Sequence, residues 1–111
     1  MTAQENGSMN HNYTLRFLPL FQEDLNAIVD HIALQLRNPE AADRLVNDVE
    51  KAIFDRLPHA EAFAPYPVAA AHPLPYYYIQ VRNFLIFYVV IGDVMEVRRI
   101  LYSRRDMTEQ L

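Results

Sequence analysis

A short alternation of apolar and polar residues at Tyr13–Phe17 predicts a half-buried strand near the start of the chain. Pro19 comes next, at a position that suits the first turn of a helix. Beyond it, apolar residues recur every three or four positions. This first stripe consists of Phe21, Leu25, Ile28, Ile32 and Leu36. Such spacing is typical of an amphipathic helix that buries one face.

A second helix is predicted immediately after the first. Asn38 suits the N-cap, Pro39 the first helical position and Glu40 the first turn, where a carboxylate favours the helix dipole. A second apolar stripe follows and ends before Pro58. It consists of Ala42, Leu45, Val46, Val49, Ile53 and Leu57. Because the link between the helices is so short, we expect them to pack antiparallel as a helical hairpin.

Residues 58–75 separate the helices from the rest of the chain and contain five of its seven prolines. Neither a helix nor a sheet ladder tolerates that density of proline, so an ordered surface loop is predicted. Three runs rich in aromatic and β-branched residues follow, as is typical of strands. They span Tyr76–Val81, Phe84–Ile91 and Val94–Tyr102. Two-residue links join them, which suits tight hairpins, and a positive φ is expected at Gly92 in the second link.

The predicted order of elements is therefore strand, helix, helix, loop, strand, strand, strand. Both helix stripes need an apolar partner, so the helical hairpin must cover one face of the sheet. The fold class is α+β, with two layers: a helical hairpin packed on a small, mainly antiparallel four-stranded sheet (β-α-α-β-β-β). We expect residues 13–111 to form this single domain and residues 1–12 to form a disordered polar tail.

Strict alternation assigns the side chains of the later strands to the two faces of the sheet. Tyr76 and Tyr78 share one face and Tyr77 lies on the other, so one or two of these tyrosines must be exposed. In the last strand, one face carries Val94, Glu96, Arg98, Ile100 and Tyr102. The other face carries Met95, Val97, Arg99 and Leu101. Each face thus holds an arginine, and at least one of the two is expected to need a carboxylate partner.

The composition excludes several classes of site. The chain has no cysteine, so it holds no disulfide, no thiolate metal site and no cysteine nucleophile. Its four histidines lack metal-ligand spacing and no glycine-rich loop is present to hold phosphates, so neither a metal nor a cofactor is predicted. No apolar run approaches the roughly 18 residues that cross a bilayer, and the polar start of the sequence is not expected to act as a signal peptide. We expect a soluble, cytoplasmic protein without membrane contact.

Arginines are concentrated near the end of the chain although its net charge is -4. Residues 1–81 hold five cations and ten acids, whereas residues 82–111 hold five arginines and four acids. An acidic protein is not expected to bind DNA directly and specifically. The arginines that can converge at one end of the sheet, as a site for carboxylate or phosphate, are Arg82, Arg99, Arg104 and Arg105. The alternative for Arg98 and Arg99 is an intramolecular ion pair, with Glu96 or with an acid of the helices.

Three segments of the chain resemble one known family. The helical hairpin, with Pro19…Asp24-Leu25 and Pro39–Ala42, resembles that of the RelE/ParE toxins of bacterial toxin–antitoxin pairs. Val81–Tyr88 is similar to the hairpin of that family, which ends in a LIFY-like strand. The ending Arg99…Leu101-Tyr102…Arg105-Asp106 resembles the RxLHxxRD ending that is typical of the ParE branch. The resemblance covers nearly the whole predicted domain.

The resemblance implies a β-α-α-β-β-β toxin neutralised by a small antitoxin, whose C-terminal segment wraps it. RelE-like members cut messenger RNA on the ribosome, whereas ParE-like members poison DNA gyrase. Where the RNA-cutting members have basic groups, this chain has Tyr78 and Gln80, and it has Leu85 in place of an expected arginine. No tyrosine follows Tyr102, so most of the RNA-cutting set is missing. The ParE branch is favoured, although Tyr102 stands where that branch usually has histidine.

The favoured hypothesis is a ParE-like toxin of a plasmid-stabilisation type of system, which inhibits growth by binding DNA gyrase, and no catalytic residues are assigned to it. Its other partner is a cognate antitoxin, with which the family forms heterotetramers. The candidate target- or antitoxin-binding residues are Arg82, Arg99, Tyr102, Arg104 and Arg105. One alternative is a diverged ribosome-dependent endoribonuclease that uses Arg82, Arg104, His72 and a tyrosine. The other is a non-toxic relative that only binds its antitoxin.

Overall fold

The computed structural model describes residues 12–67, 73–103 and 111. The predicted order of helices and strands is confirmed. The strands are β1 (Thr14–Phe17), β2 (Tyr77–Val81), β3 (Phe84–Ile91) and β4 (Val94–Tyr102). The helices are α1 (Pro19–Asp30), which continues into a π-helical turn (His31–Gln35), and α2 (Pro39–Arg56), which continues into a 3₁₀ turn (Leu57–His59). Except for its last residue, the predicted tail lies outside the described residues, as do residues 68–72 of the proline-rich loop.

The four strands form one mixed sheet in the order β1–β4–β3–β2. β1 runs parallel to β4, whereas the other two pairs of neighbours are antiparallel. Both hairpin links are two-residue turns that begin with a positive φ, 54° at Arg82 and 60° at Gly92. The mainly antiparallel four-stranded sheet and the positive φ of Gly92 are therefore confirmed. Arg82 adopts the left-handed conformation although it is not a glycine, which alternation and composition did not indicate.

The two helices cover one face of the sheet, and their apolar stripes form the main core with it. The helices contribute the buried side chains of Phe21, Leu45, Val49 and Ile53. The sheet contributes Tyr77, Ile79, Val81, Ile86, Tyr88, Met95, Val97 and Ile100. These side chains are shielded from water only when the helices and the sheet are packed together. The two layers therefore stabilise each other.

The link between the helices is partly as predicted. Asn38 caps α2, because its Oδ1 accepts a hydrogen bond from the Ala41 N–H at 3.1 Å. The prediction that Leu36 lies on the buried stripe of the first helix is wrong, since Leu36 is 60% exposed. The Leu36 N–H bonds the His31 carbonyl, five residues earlier, at 3.0 Å. This π-helical turn adds one residue to the turn and so rotates the side chains that follow away from the buried face.

A β-bulge in β4 overturns the strict alternation predicted for that strand. Arg99 lies opposite Phe87 and Val97 lies opposite Tyr88, so Arg98 is an extra residue without a counterpart on β3. Beyond the bulge the faces are exchanged. Ile100 therefore joins Met95 and Val97 in the core under the helices, and not Glu96 and Arg98 on the opposite face. A one-residue insertion has this effect because the side-chain period of a strand is two.

The face of the sheet opposite the helices, called the outer face below, carries a second apolar cluster. Its buried members are Tyr76, Leu85, Phe87 and Val89. Tyr66 and Leu74, from the proline-rich loop, pack against it together with Leu101 and Leu111. The described parts of the loop thus cover the outer face, and of the three tyrosines in a row only Tyr78 is exposed.

Gly92→Val should destabilise the fold by about 2 kcal/mol, because a β-branched side chain is disfavoured at positive φ whether or not there is room for it. Gly92→Asn should cost less than about 1 kcal/mol, since asparagine tolerates the left-handed region. Denaturant unfolding of both variants measures the difference. Equal losses for the two would contradict a conformational cause.

Candidate functional site

Two of the predicted binding residues lie together at one end of the sheet. Tyr102 ends β4 opposite Phe84, which begins β3, and the centres of the two rings are 5.7 Å apart. Arg82 lies in the turn just before Phe84. The neighbouring Asn83 carbonyl accepts a hydrogen bond from the Ser103 N–H at 2.7 Å. The β2–β3 turn and the end of β4 are thereby held side by side.

Arg82 forms an ion pair with a carboxylate of the second helix. Its Nη2 bonds Asp48 Oδ2 at 2.5 Å, and the two side chains are 42% and 51% exposed. Water and salt screen an ion pair as exposed as this, which is typically worth about 1 kcal/mol or less. A competing carboxylate can therefore replace Asp48 at little cost. Arg104 and Arg105 follow Ser103 in the sequence but lie outside the described residues.

Arg99 is bound inside the fold. Its Nε and Nη2 donate to the two oxygens of Asp24 at 2.7 and 2.9 Å, and Asp24 Oδ2 also accepts the Ile100 N–H at 3.2 Å. The side chains of Arg99 and Asp24 are only 18% and 14% exposed. The hydrogen bond to Asp24 raises the pKa of Arg99, although partial burial opposes the rise. These contacts, called the clasp below, tie α1 to β4.

Glu96 is a buried carboxylate that forms ion pairs with two further arginines. Oε1 accepts a hydrogen bond from Arg16 Nε at 2.9 Å, and Oε2 accepts one from Arg98 Nε at 2.8 Å. Arg98 Nη1 also donates to the Tyr76 hydroxyl at 3.2 Å. Glu96 lies opposite Val89 of the outer-face cluster, so this Glu96 cluster sits on the outer face. The ion-pair alternative considered from the sequence therefore holds for both Arg98 and Arg99.

The pKa of the Glu96 carboxyl reflects two opposing effects. Burial alone would raise the pKa, because it penalises the charged form. The hydrogen bonds from Arg98 and Arg16, together with their positive charges, outweigh burial and hold the pKa of Glu96 below its ordinary value of 4.5. The carboxylate is consequently charged at neutral pH and serves as an anchor for both arginines.

Arg56, at the end of α2, contacts three other residues, and the sequence pattern did not predict these contacts. Its Nη1 donates to the Tyr78 carbonyl and to the Tyr88 hydroxyl, each at 3.0 Å. Its guanidinium carbon lies 3.7 Å from the centre of the Phe63 ring, a cation–π contact. The Tyr88 hydroxyl in turn donates to the Ala60 carbonyl at 2.6 Å. Burial raises the pKa of Tyr88, while the hydrogen bond from Arg56 opposes the rise.

Tyr13, which immediately precedes β1, contacts the start of the proline-rich loop. Its hydroxyl donates to Glu61 Oε1 at 2.7 Å. Desolvation and this hydrogen bond raise the pKa of Tyr13 to about 12. Together with Arg56, Tyr13 anchors the segment that leaves α2, so the start of the proline-rich loop has a defined position.

The arrangement is suited to recognition of a partner by ion pairs and apolar contacts. Of the four arginines contributed by the described sheet and its turns, Arg16, Arg82, Arg98 and Arg99, each contacts a carboxylate of the chain. Within residues 12–67, 73–103 and 111, no group of three metal-ligating side chains occurs. Among the described residues, neither helix combines the length and the apolar character that a membrane span requires. Leu85, which stands in place of the arginine expected for RNA cleavage, is buried in the outer-face cluster. His72 lies outside the described residues.

Comparison with known proteins identifies a family and a solved fold. The family model described as "ParE toxin of type II toxin-antitoxin system, parDE" matches residues 15–107. A solved structure described as "Chromosomal ParDE TA system from P. aeruginosa" superposes with a TM-score of 0.69 and 23% sequence identity. The superposition covers 85% of this chain and 99% of that one. A search of curated protein sequences finds no significant match.

Arg99→Ala should cost about 3 kcal/mol or more, because it leaves the largely buried Asp24 carboxylate without its partner. Arg82→Ala should cost less than about 1 kcal/mol, because the pair with Asp48 is exposed. Urea unfolding of the two variants checks the difference. A similar loss for both would show that the clasp has no special weight in holding α1.

Glu96→Gln should reduce the free energy of unfolding at pH 7 by about 2–3 kcal/mol, because the variant loses the negative charge that attracts both arginines and replaces one of the two acceptor oxygens with an NH₂ group that cannot accept a hydrogen bond. The folded pKa of Glu96 lies below 4.5, so its charge stabilises the fold above that pH. This contribution is lost as the pH falls through the folded pKa. Unfolding measured from pH 7 to pH 3 should therefore show the gap between wild type and variant closing on acidification. A gap that stays constant would contradict the assignment, and Glu50→Gln at an exposed site should change the pH 7 value by less than about 0.5 kcal/mol.

Proposed function

The chain belongs to the ParE toxin family of type II toxin–antitoxin systems, and from this premise we propose that it is a cytoplasmic toxin that inhibits growth by binding DNA gyrase. The proposal includes neutralisation by a cognate antitoxin, within a toxin–antitoxin heterotetramer. It also includes stabilisation of the replicon that carries the gene pair. No covalent step is assigned to the chain itself.

The pairing of arginines with carboxylates throughout the described sheet is the main support for a mechanism based on binding. Cleavage of RNA needs cationic groups that are free to stabilise the charge developing at phosphate. Arg98 and Arg99 instead hold carboxylates of their own chain, which are largely withdrawn from water. A net charge of -4 also weakens attraction to the phosphate-rich ribosome. These features support target binding over RNA cleavage.

The proposed binding surface is the end of the sheet where the β2–β3 turn meets the end of β4. Arg82 and Tyr102 lie there, and Arg104 and Arg105 follow two and three positions after Tyr102 in the sequence. An exposed aromatic ring near an arginine whose own carboxylate partner can be displaced suits recognition of an acidic protein segment. Arg99 contributes to this surface indirectly, by holding β4 against α1 through the clasp.

Expression of the chain alone in bacteria tests the function. We expect growth arrest accompanied by altered plasmid supercoiling, while translation continues at first. Prompt loss of translation with cleaved messenger RNA would instead establish the endoribonuclease alternative. A soluble, folded chain that leaves growth unaffected would establish a non-toxic relative and overturn the proposal.

Variants locate the surface within the same assay. Tyr102→Ala and the double variant Arg104→Ala/Arg105→Ala should each weaken growth inhibition at least about tenfold, because residues at the centre of an interface carry more than 1 kcal/mol each. Asp48→Asn should preserve or increase toxicity, because it frees Arg82 without removing its charge. Arg44→Ala, at an exposed site on α2, is the matched control and should remain fully toxic. Unchanged toxicity of the Tyr102 and Arg104/Arg105 variants would place the surface elsewhere.

A further inference from the structure

β2 is an edge strand, so part of its backbone has no partner within the sheet. It pairs with β3 on one side only. Arg56 bonds the Tyr78 carbonyl from outside the sheet, which shows that the backbone of Tyr78 points away from β3. Alternate residues of an antiparallel pair share this direction, so Tyr76 and Gln80 also direct their N–H and C=O groups outward. These three residues form an edge to which another strand can bind.

The sequence of this edge contains nothing that discourages pairing. Tyr76–Val81 reads YYYIQV, which is uncharged, free of proline and rich in aromatic and β-branched residues. Segments of this composition pair readily with copies of themselves. The other edge strand, β1, contains Arg16 and ends two positions before Pro19, and a charge or a proline commonly keeps an edge unpaired. β2 has neither, so its protection has to come from another part of the chain.

Residues 60–66, called the strap below, lie against the β2 edge. At one end of the strap, the Tyr66 N–H bonds the Tyr76 carbonyl at 2.6 Å. The Tyr66 ring packs edge-on against the exposed ring of Tyr78, with the ring centres 5.5 Å apart. It packs in the same way against Phe87 of β3, at 5.0 Å. The strap therefore bonds one outward carbonyl of the edge and also rests on the sheet beside it.

Arg56 connects the other part of the strap to the same edge. Its guanidinium donates to the Tyr78 carbonyl at 3.0 Å and lies 3.7 Å from the centre of the Phe63 ring. The Ala60 carbonyl accepts a hydrogen bond from the Tyr88 hydroxyl at 2.6 Å, which fixes the start of the strap. Phe63 is 50% exposed, so its ring covers Arg56 and does not fill the core. The chain itself thus occupies the carbonyls of two of the three outward residues.

Gln80 is the outward residue that these contacts leave open. It is exposed, and its side chain donates to the Arg82 carbonyl at 3.3 Å. When two β2 strands pair antiparallel around a twofold axis, Gln80 of one protomer can lie opposite Tyr78 of its partner. The Gln80 N–H then meets the Tyr78 carbonyl, which Arg56 already occupies. A second chain that approaches at Gln80 is therefore stopped one pair further along the strand.

We propose that the strap, together with Arg56, keeps the chain from associating with a second copy through β2. Loosening the strap should produce a dimer in which two β2 strands pair antiparallel. The occupant is a second copy because the edge is uncharged and can pair with itself around a twofold axis. The edge has this property whether or not the chain inhibits gyrase. Arg56 and Phe63 thereby acquire a role in keeping the free chain monomeric.

Sedimentation velocity over a range of protein concentrations tests the role of the strap. Arg56→Ala/Phe63→Ala frees the Tyr78 carbonyl and removes the ring that covers Arg56. The self-association constant of this loosened variant should exceed that of the wild type at least about tenfold, because each protomer gains a hydrogen-bond acceptor for its partner. A folded loosened variant that associates no more tightly than the wild type would overturn the proposal.

A matched control removes the same two kinds of side chain elsewhere. Lys51→Ala/Phe54→Ala takes a cation and an exposed ring from α2, where neither contacts the strap. Its self-association constant should equal that of the wild type. An increase as large as that of the loosened variant would show that the effect comes from general destabilisation and would also overturn the proposal.

Gln80 identifies the surface through which the loosened variant associates. Adding Gln80→Pro removes the outward N–H that would meet the Tyr78 carbonyl, and an edge position tolerates proline. Self-association should return to the wild-type level. In the dimer of the loosened variant without this proline, the Gln80 amide should exchange at least about tenfold more slowly than in the wild-type monomer. A dimer that persists with Gln80→Pro, or a Gln80 amide that is not protected, would place the interface elsewhere and contradict pairing through β2.

Thermal unfolding of each variant establishes that it is folded before its association is compared. If the loosened variant does not fold, Phe63→Ala alone decides the question. It removes a half-exposed ring and leaves Arg56 bonded to the Tyr88 hydroxyl. Its self-association constant should rise about threefold, because Arg56 loses one of the contacts that hold it at Tyr78. An unchanged constant for this variant would overturn the proposal.

Discussion

The clasp joins residues 75 positions apart and fixes the helical layer to the sheet. α1 buries only Phe21 completely, while Leu25 and Ile28 pack against the core and remain partly exposed. Asp24 gives α1 a defined position on β4, because its bidentate pair with Arg99 has one preferred geometry. The Ile100 N–H adds a third hydrogen bond to the same carboxylate. β4 pairs with β1, and only Leu18 separates β1 from α1, so an α1 held on β4 also helps to hold β1 against β4.

The bulge at Arg98 allows β4 to place apolar side chains in the core along its whole length and charged side chains on both sides of the sheet. Before the bulge, Met95 and Val97 face the helices while Glu96 faces outward. After it, Ile100 faces the helices, so the main core stays continuous along β4. Arg98 and Arg99 are adjacent residues, yet one binds Glu96 on the outer face and the other binds a helix. Without the extra residue, the strand could not fill the core at both ends and also anchor both arginines.

Much of this fold follows from periodicity, and what does not follow depends on long-range contacts. The strands, the helical hairpin, the Asn38 cap and the positive φ of Gly92 are local properties that sequence spacing encodes. The bulge and the π-helical turn each insert a single residue, and no local pattern marks the position because the gain arises from packing elsewhere. The Asp24 partner of Arg99 was one of several acids that could have served. Arg56 gave no signal beyond a cation in the last turn of a helix, where the helix dipole alone would explain it.

The pairing of each sheet arginine with a carboxylate bears on what the surface can recognise. A phosphate that binds there must displace a carboxylate and leave it near the incoming negative charge, which is unfavourable in an acidic protein. An acidic protein segment that replaces Asp48 on Arg82 exchanges one carboxylate for another, and the released Asp48 is already half exposed to water. The exchange costs little where the pair is exposed and much where it is buried, as in the clasp. Recognition should therefore fall on exposed arginines at the rim of the sheet, while the buried pairs keep that rim in place.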